Sequence, residues 1–149
     1  MGKLYLLNVF PPGYGKEIYR KIEICGNSTL NDLCEAILDS LEFDYDHAYE
    51  FCMNNKMYRG GVCYQSHPEF DEPSCEIALD DIGLIKEQKF LFHYDFGEDW
   101  AFTVSVNKIA ETKETFPPRV VKSLGSIQQY QDDDEDYDDE YDEEEWDED

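Results

Sequence analysis

The sequence predicts an α+β fold: an antiparallel or mixed sheet with one main amphipathic helix packed on one face, followed by a disordered acidic C-terminal tail. Apolar residues recur with the period of a helix in only one segment, residues 30–41, whereas several other segments alternate with the period of a strand. Strands that are not separated by further helices favour an antiparallel sheet over repeated βαβ units. The last 19 residues are almost entirely acidic, which is typical of a chain that does not fold by itself.

The N-terminal segment predicts a strand pair. Residues 4–10 are apolar at six of seven positions and run into Pro11-Pro12-Gly13, so the strand stops in a loop. Residues 20–25 alternate between apolar and charged side chains, which is the pattern of a half-buried strand. Together the two segments predict a hairpin with a wide loop.

The helix has a clear start and one apolar face. Thr29 is in position to serve as N-cap, and Asp32, three residues later, supplies the acidic half of a capping box. The positions that follow the i, i+3, i+4, i+7 rule are Leu30, Leu33, Cys34, Ile37, Leu38 and Leu41.

The middle of the chain returns to the period of a strand. Residues 43–51 place aromatic side chains and His47 on one face, which predicts a strand. Gly60-Gly61 lies between residues 57–58 and 62–64 and predicts a short hairpin. Residues 65–75 contain two prolines and three acidic residues, so we expect an irregular loop.

A second hairpin is predicted over residues 90–106. If residues 97–99 form a three-residue loop, Phe96 faces Trp100 and Tyr94 faces Phe102, with all the aromatic side chains on one side. Residues 115–130 contain Phe-Pro-Pro and predict an irregular segment that packs over the body.

The charge is distributed unevenly over the 149 residues. There are 36 acidic and 12 basic residues, for a net charge of −24, and 15 of the acidic residues lie in 131–149. We therefore expect a single α+β domain over residues 1–130 and an acidic disordered tail over 131–149. A negatively charged surface repels the phosphate backbone of a nucleic acid, so direct nucleic-acid binding is not expected. The tail suits a basic protein partner, or acts only as a solubilising extension.

Cysteines and hydropathy predict a cytoplasmic protein without membrane association. No run approaches the roughly 20 apolar residues that span a bilayer, and the apolar N-terminal stretch is too short for a signal peptide. The five cysteines are scattered and include no Cys-x-x-Cys pair, so neither a disulfide framework nor a zinc knuckle is expected. The sequence does not predict the oligomeric state.

Three sequence motifs together resemble one family. They are Thr29-Leu30-x-x-Leu33, then Phe43-x-x-x-His47-x-Tyr49-x-Phe51, and then Phe92-x-Tyr94-Asp95-Phe96-Gly97-Glu98-x-Trp100. This combination resembles the Ri-plasmid ORF-three-like family, also labelled insertion-element passenger TnpR-like proteins. The resemblance covers most of residues 1–130 and implies an uncharacterised α+β protein of bacteria and mobile elements.

The chain departs from the family pattern at three places. Glu98 stands where the family usually has Asp, Phe102 stands where many members have His, and residues 125–130 replace an acidic, Gly-rich ending. The TnpR label suggests a resolvase, whose chemistry needs arginines around the scissile phosphate. The three arginines of this chain are dispersed, so autonomous recombination is not expected.

A polar group around the second hairpin is the candidate site. The candidate binding residues are His47, Tyr49, Asp95, Glu98, Asp99 and Trp100. We expect an accessory protein that makes protein–protein interactions, is not an enzyme and has no cofactor. The alternative is a hydrolase or nuclease that depends on a divalent metal bound by His47, Asp95 and Asp99. The other interpretation is structural: carboxylates beside the turn accept backbone N–H bonds, and His47 is a satisfied, semi-buried histidine. His67 and His93 are expected to be unrelated to the site.

Overall fold

The computed structural model describes residues 2–58 and 61–127. The elements in these residues are β1 Gly2–Phe10, β2 Tyr19–Cys25, α1 Leu30–Leu41, β3 Tyr49–Cys52, β4 Cys63–Gln65, β5 Lys89–Tyr94, β6 Trp100–Thr112 and β7 Arg119–Leu124. A 3₁₀ helix at Leu79–Asp81 precedes β5. The seven strands form one antiparallel sheet in the order β4-β3-β5-β6-β1-β2-β7.

The predicted α+β class, with a main helix covering one face of an antiparallel or mixed sheet, is wrong. Within the described residues the regular structure is mostly the seven-stranded sheet, whose strand pairs are all antiparallel, and α1 is the one α-helix. A helix of 12 residues is about 18 Å long, whereas seven strands spaced by about 4.8 Å extend over roughly 30 Å. One such helix is too small to form a layer over that sheet.

The first hairpin and the helix are confirmed. β1 pairs with β2 in antiparallel register, with Leu7 opposite Ile22. The Thr29 hydroxyl accepts a hydrogen bond from the Asp32 backbone N–H at 3.1 Å, and the Asp32 carboxylate accepts one from the Thr29 N–H at 3.0 Å. All six predicted apolar positions of the helix are buried. Their side chains join one hydrophobic cluster with those of the strands.

The strand predicted over residues 43–51 is confirmed only at its end, because β3 begins at Tyr49. Backbone groups of two residues before β3 instead make hydrogen bonds with the side chain of a tyrosine. The Tyr94 hydroxyl accepts a hydrogen bond from the Asp46 N–H at 3.0 Å and donates one to the Asp44 carbonyl. The hairpin predicted around Gly60-Gly61 is wrong, since β4 pairs with β3 and places Tyr64 opposite Phe51.

The β5–β6 hairpin is confirmed, but its register differs by two residues from the prediction. Tyr94 lies opposite Trp100 and Phe92 opposite Phe102, so the connecting turn has five residues. Asp95 ends β5 because its backbone adopts the left-handed conformation, with φ 65°, and its carboxylate accepts a hydrogen bond from the Gly97 N–H at 3.0 Å. The shift by an even number keeps Phe92, Tyr94 and Phe102 on the predicted face. The predicted position of Phe96 is wrong, because its ring lies in the turn and packs against His93 on the opposite face.

Residues 115–130 were predicted to be irregular, and this is wrong for part of the segment. β7 pairs with β2 and forms an edge of the sheet. All six of its residues are exposed, so the segment lacks the apolar alternation that predicts a strand. The predicted disordered tail over 131–149 and the domain boundary at residue 130 lie outside the described residues.

The core is built on the aromatic face of the sheet. Phe51 and Phe92 stack with ring centroids 4.8 Å apart, and Phe92 also stacks on Phe102. The irregular loop predicted over residues 65–75 is confirmed for 66–75, which contain no helix or strand, whereas Gln65 is the last residue of β4. In the part of the chain described, no helix has the length and apolar character needed to cross a bilayer.

Candidate functional site

The candidate site lies on the face of the sheet opposite the aromatic core. Glu50 of β3 and His93 of β5 are direct cross-strand partners on this face. The imidazole of His93 is fully buried. Two aromatic rings from neighbouring loops cover it: the Tyr58 centroid lies 5.1 Å and the Phe96 centroid 4.9 Å from the imidazole centroid.

Both ring nitrogens of His93 contact carboxylates. Nδ1 lies 2.8 Å from Glu50 Oε2, and Nε2 lies 2.7 Å from Asp99 Oδ1. An ionised carboxylate can only accept hydrogen bonds, so two such contacts require a proton on each ring nitrogen. With both carboxylates ionised, the network of Glu50, His93 and Asp99 carries a net charge of −1.

Further hydrogen bonds hold the two carboxylates. Gln65 donates its side-chain N–H to Glu50 Oε1 at 2.9 Å, and Tyr58 donates its hydroxyl to Asp99 Oδ1 at 2.9 Å. The bonds from His93 and then Tyr58 lower the pKa of the Asp99 carboxyl below its ordinary value. The same bond to Asp99 raises the pKa of the Tyr58 phenol, because it favours the protonated form. Tyr58 is therefore part of the hydrogen-bond network of Glu50, His93 and Asp99.

A cavity of about 790 Å³ lies beside this network. Glu50 and Glu72 contribute carboxylates to its lining, Tyr58 and Phe96 contribute aromatic rings, and Cys63 contributes a thiol. None of the described residues that line the cavity is Lys or Arg. Its volume is within the range of small-ligand pockets, and its lining combines negative charge with aromatic surface.

Two thiols lie next to Glu50. Cys52 and Cys63 are directly opposite each other on β3 and β4, and their Sγ atoms are 2.9 Å apart. Cys52 is fully buried and Cys63 half-buried. Burial is the main cause that raises the pKa of the Cys52 thiol, and the contact with Cys63 adds to it.

The structure brings together only part of the metal-ligand set that the sequence suggested. His47 Nε2 lies 3.4 Å from Asp95 Oδ2 and 3.2 Å from Asp46 Oδ1, so His47 and Asp95 are neighbours. Asp99 instead bonds to His93 and Tyr58. The backbone of the turn explains why Asp99 is separated from His47 and Asp95, because Asp95 and Asp99 both adopt positive φ angles there.

The other candidate residues occupy three different environments. Tyr49 is buried, and its hydroxyl donates to Asn31 Oδ1 at 2.5 Å. Trp100 is half-buried and packs edge-on against Phe43, with the ring centroids 5.0 Å apart. Glu98 is exposed on the turn, where its backbone N–H donates to the Asp95 carboxylate at 3.3 Å. Tyr49 and Trp100 therefore contribute to packing.

The sequence-based expectation set His93 aside, although it is at the centre of the buried network. The sequence places the aromatic side chains of the β5–β6 hairpin on one side, but Leu91 and His93 on the other side are buried as well. One feature of the sequence could have identified this site, namely the alternation of side chains along the strands. It places Glu50 and Cys52 on one face of β3, and His93 on the polar side of β5. Alternation does not reveal that the loops carrying Tyr58 and Phe96 cover that side.

Comparisons with known proteins identify relatives without an assigned activity. The family model described as plasmid pRiA4b ORF-3-like protein matches residues 4–147. The crystal structure of a protein of unknown function from Methanosarcina mazei Go1 is similar, with 27% sequence identity and a TM-score of 0.64. That similarity covers 83% of this chain and 70% of the archaeal chain. No curated protein matches the chain significantly.

Proposed function

The chain belongs to the plasmid pRiA4b ORF-3-like protein family, as its motifs suggested, and we propose that it is a non-enzymatic binding domain for a basic protein partner. In this proposal the cavity beside His93 receives a Lys or Arg side chain of that partner. The observation that carries it is the lining, in which the carboxylates of Glu50 and Glu72 share one cavity with the rings of Tyr58 and Phe96.

The electrostatics of the cavity favour a cation. The buried network of Glu50, His93 and Asp99 has a net charge of −1 when both carboxylates are ionised, and Glu72 adds a second negative charge at the lining. A positive group that enters gains attraction from both, at a site that is less screened than open solvent. A phosphate or carboxylate ligand is repelled by the same charges.

The aromatic rings favour an organic cation as the ligand of the cavity. Ammonium and guanidinium groups are attracted to aromatic faces, and a guanidinium also donates paired hydrogen bonds to a carboxylate. Tyr58 is 66% exposed and Phe96 42% exposed, so both rings are accessible from solvent. An arginine side chain uses all of these features at once.

The acidic C-terminal segment, residues 131–149, adds a second attraction in this proposal. Its charge steers a basic partner towards the chain over a distance set by the ionic strength. The cavity then provides the specific contact. The net charge of −24 argues against nucleic acid as the direct ligand.

We do not extend the proposal to a metal-dependent hydrolase or nuclease built on His47, Asp95 and Asp99. Asp99 Oδ1 is bonded to His93 and Tyr58, whereas His47 contacts Asp95 and Asp46. The three side chains therefore do not form one ligand set.

Nuclear magnetic resonance titration of the full chain with N-acetyl-arginine amide, in the presence of a metal chelator, tests the proposal. We expect shifts of the Tyr58, Phe96 and His93 resonances that saturate with the probe. The neutral isostere N-acetyl-citrulline amide should leave them unchanged. Shifts confined to residues 131–149, or equal shifts with both probes, would overturn the proposal.

Glu72→Gln is the matched variant, because glutamine keeps an acceptor for the Glu69 N–H that Glu72 now binds at 2.9 Å. The loss of one partly exposed charge should raise the dissociation constant of the arginine probe about two- to fivefold. Glu111→Gln, at an exposed position of β6, removes the same charge outside the cavity and should leave the constant unchanged.

A further inference from the structure

Two thiols and one carboxylate converge where β3 pairs with β4. Cys52 faces Cys63 across the strand pair, and Glu50 lies two residues before Cys52 on the same face. The carboxylate oxygen of Glu50 and the two Sγ atoms all lie within 4.8 Å of one another. The network around His93 uses Glu50 but neither thiol.

These distances suit the coordination sphere of one small metal ion. Zinc binds thiolates at about 2.3 Å and carboxylates at about 2.0–2.2 Å, so tetrahedral thiolate ligands lie about 3.8 Å apart. The two Sγ atoms, now 2.9 Å apart, reach that separation by small side-chain rotations of about 1 Å in total.

The carboxylate is already oriented for such a role. Glu50 Oε1 accepts a hydrogen bond from Gln65, and Oε2 accepts one from His93 Nδ1. Each oxygen keeps a second lone pair for a ligand bond. Supporting hydrogen bonds of this kind fix ligand orientation in metal sites and strengthen binding.

We propose that Glu50, Cys52 and Cys63 form a binding site for one Zn²⁺ ion, with the fourth coordination position open to the cavity. Thiolates select zinc and other soft ions, whereas Mg²⁺ and Ca²⁺ need sites made of oxygen ligands. Glu50 and Cys63 both line the cavity, so the open position faces it. Such an incomplete protein ligand set leaves room for water or for a group of a bound partner.

Binding follows a simple proton balance. Each thiol loses its proton as its sulfur bonds to the metal, so two protons are released for each ion bound. This site goes beyond the proposed function and does not depend on it, because arginine binding is measured with the metal removed.

Cobalt substitution in the full reduced chain tests the site, with Co²⁺ as the probe. One equivalent should produce the thiolate-to-cobalt charge-transfer absorption and the strong visible bands of a tetrahedral site, and Zn²⁺ should abolish both. The acidic segment 131–149 binds cations only through oxygen and cannot produce the thiolate absorption. Absence of that absorption would overturn the proposal.

Variants identify the ligands. Cys52→Ser and Cys63→Ser should each remove most of the charge-transfer absorption, and Glu50→Gln should weaken Co²⁺ binding at least tenfold. Cys25→Ser, a buried cysteine of β2, should keep the signal unchanged. Persistence of the full signal in both ligand variants would contradict the assignment.

A measurement on the unmodified chain avoids any folding defect of a variant. One equivalent of Zn²⁺ should slow alkylation of the half-buried Cys63, read by mass spectrometry of its peptide. If the reduced chain shows no protection and Cys52 and Cys63 instead form a disulfide in air, the site is a redox pair and the zinc proposal is wrong.

Discussion

His93 Nε2 lies 2.7 Å from Asp99 Oδ1, although the two residues are on different sides of a tight turn. The turn begins at Asp95, whose left-handed backbone ends β5 and whose carboxylate binds the following N–H groups. Asp99, also at positive φ, then directs its side chain back to the face that carries His93.

Replacing His93 should destabilise the protein more than replacing an exposed histidine. His93→Gln cannot satisfy both Glu50 and Asp99, and it leaves their two negative charges close together. We expect a loss of about 1–3 kcal/mol in the free energy of unfolding, measured in urea. His67→Gln, at an exposed position, should change it by less than about 0.5 kcal/mol. Equal effects would contradict a special role for the buried network.

The pKa of the Asp99 carboxyl should lie below its ordinary value of 3.8, because His93 and Tyr58 both hydrogen-bond to the ionised form. Carbon-detected magnetic resonance titration measures it directly. Tyr58→Phe should move the pKa part of the way back towards 3.8, since the larger cause, His93, remains. An unchanged pKa in that variant would exclude the Tyr58 contact in solution.

The lowered pKa of Asp99 decides how the free energy of unfolding changes with pH. A carboxyl whose pKa is lower in the folded state contributes stability above its unfolded pKa, and loses it as the pH falls through the folded value. Asp99→Asn should therefore reduce the pH dependence of the unfolding midpoint in the acid range below pH 3.8. Near neutral pH, Asp99→Asn should have a negligible effect on the pH dependence of the unfolding midpoint.

Alkaline pH should destabilise the protein through buried thiols. Burial, with the charge of Glu50 as a smaller cause, raises the pKa of Cys75 from 9.0 to about 12. The unfolded chain therefore loses this proton first, and stability falls between pH 9 and 12 by up to about 1.4 kcal/mol per pH unit for this group. Cys75→Ser should show a smaller slope of unfolding midpoint against pH, because serine does not ionise there.

A side chain at Gly26 should destabilise the protein, because the carboxylate of Asp80 occupies the place where a Cβ atom would lie and has to move away from it. That carboxylate also accepts a hydrogen bond from the buried Tyr5 hydroxyl at 3.0 Å. We expect Gly26→Ala to cost about 1–3 kcal/mol in urea unfolding. Gly2→Ala is the matched control, since no atom lies within 4 Å of its added Cβ, and it should be nearly neutral.

Some elements could be predicted from the amino-acid sequence because their signals are local. The helix is an example, because Thr29 and Asp32 form a capping box from residues three positions apart, and the apolar stripe needs only the helical period. The hairpin of β5 and β6 is another, since alternation within each strand still places Phe92 and Phe102 on one face after a register shift of two residues. The family resemblance also rested on these local motifs and is confirmed.

The extent of the sheet and the composition of the site depend on long-range contacts, which are visible only in the folded chain. β7 is an exposed edge strand whose hydrogen bonds to β2, rather than any apolar pattern, hold it in place. Cys52 and Cys63 meet because β4 pairs with β3, and His93 is buried because the loops of Tyr58 and Phe96 fold over it. Such contacts join residues distant in the chain, and a period read along one segment carries no information about them.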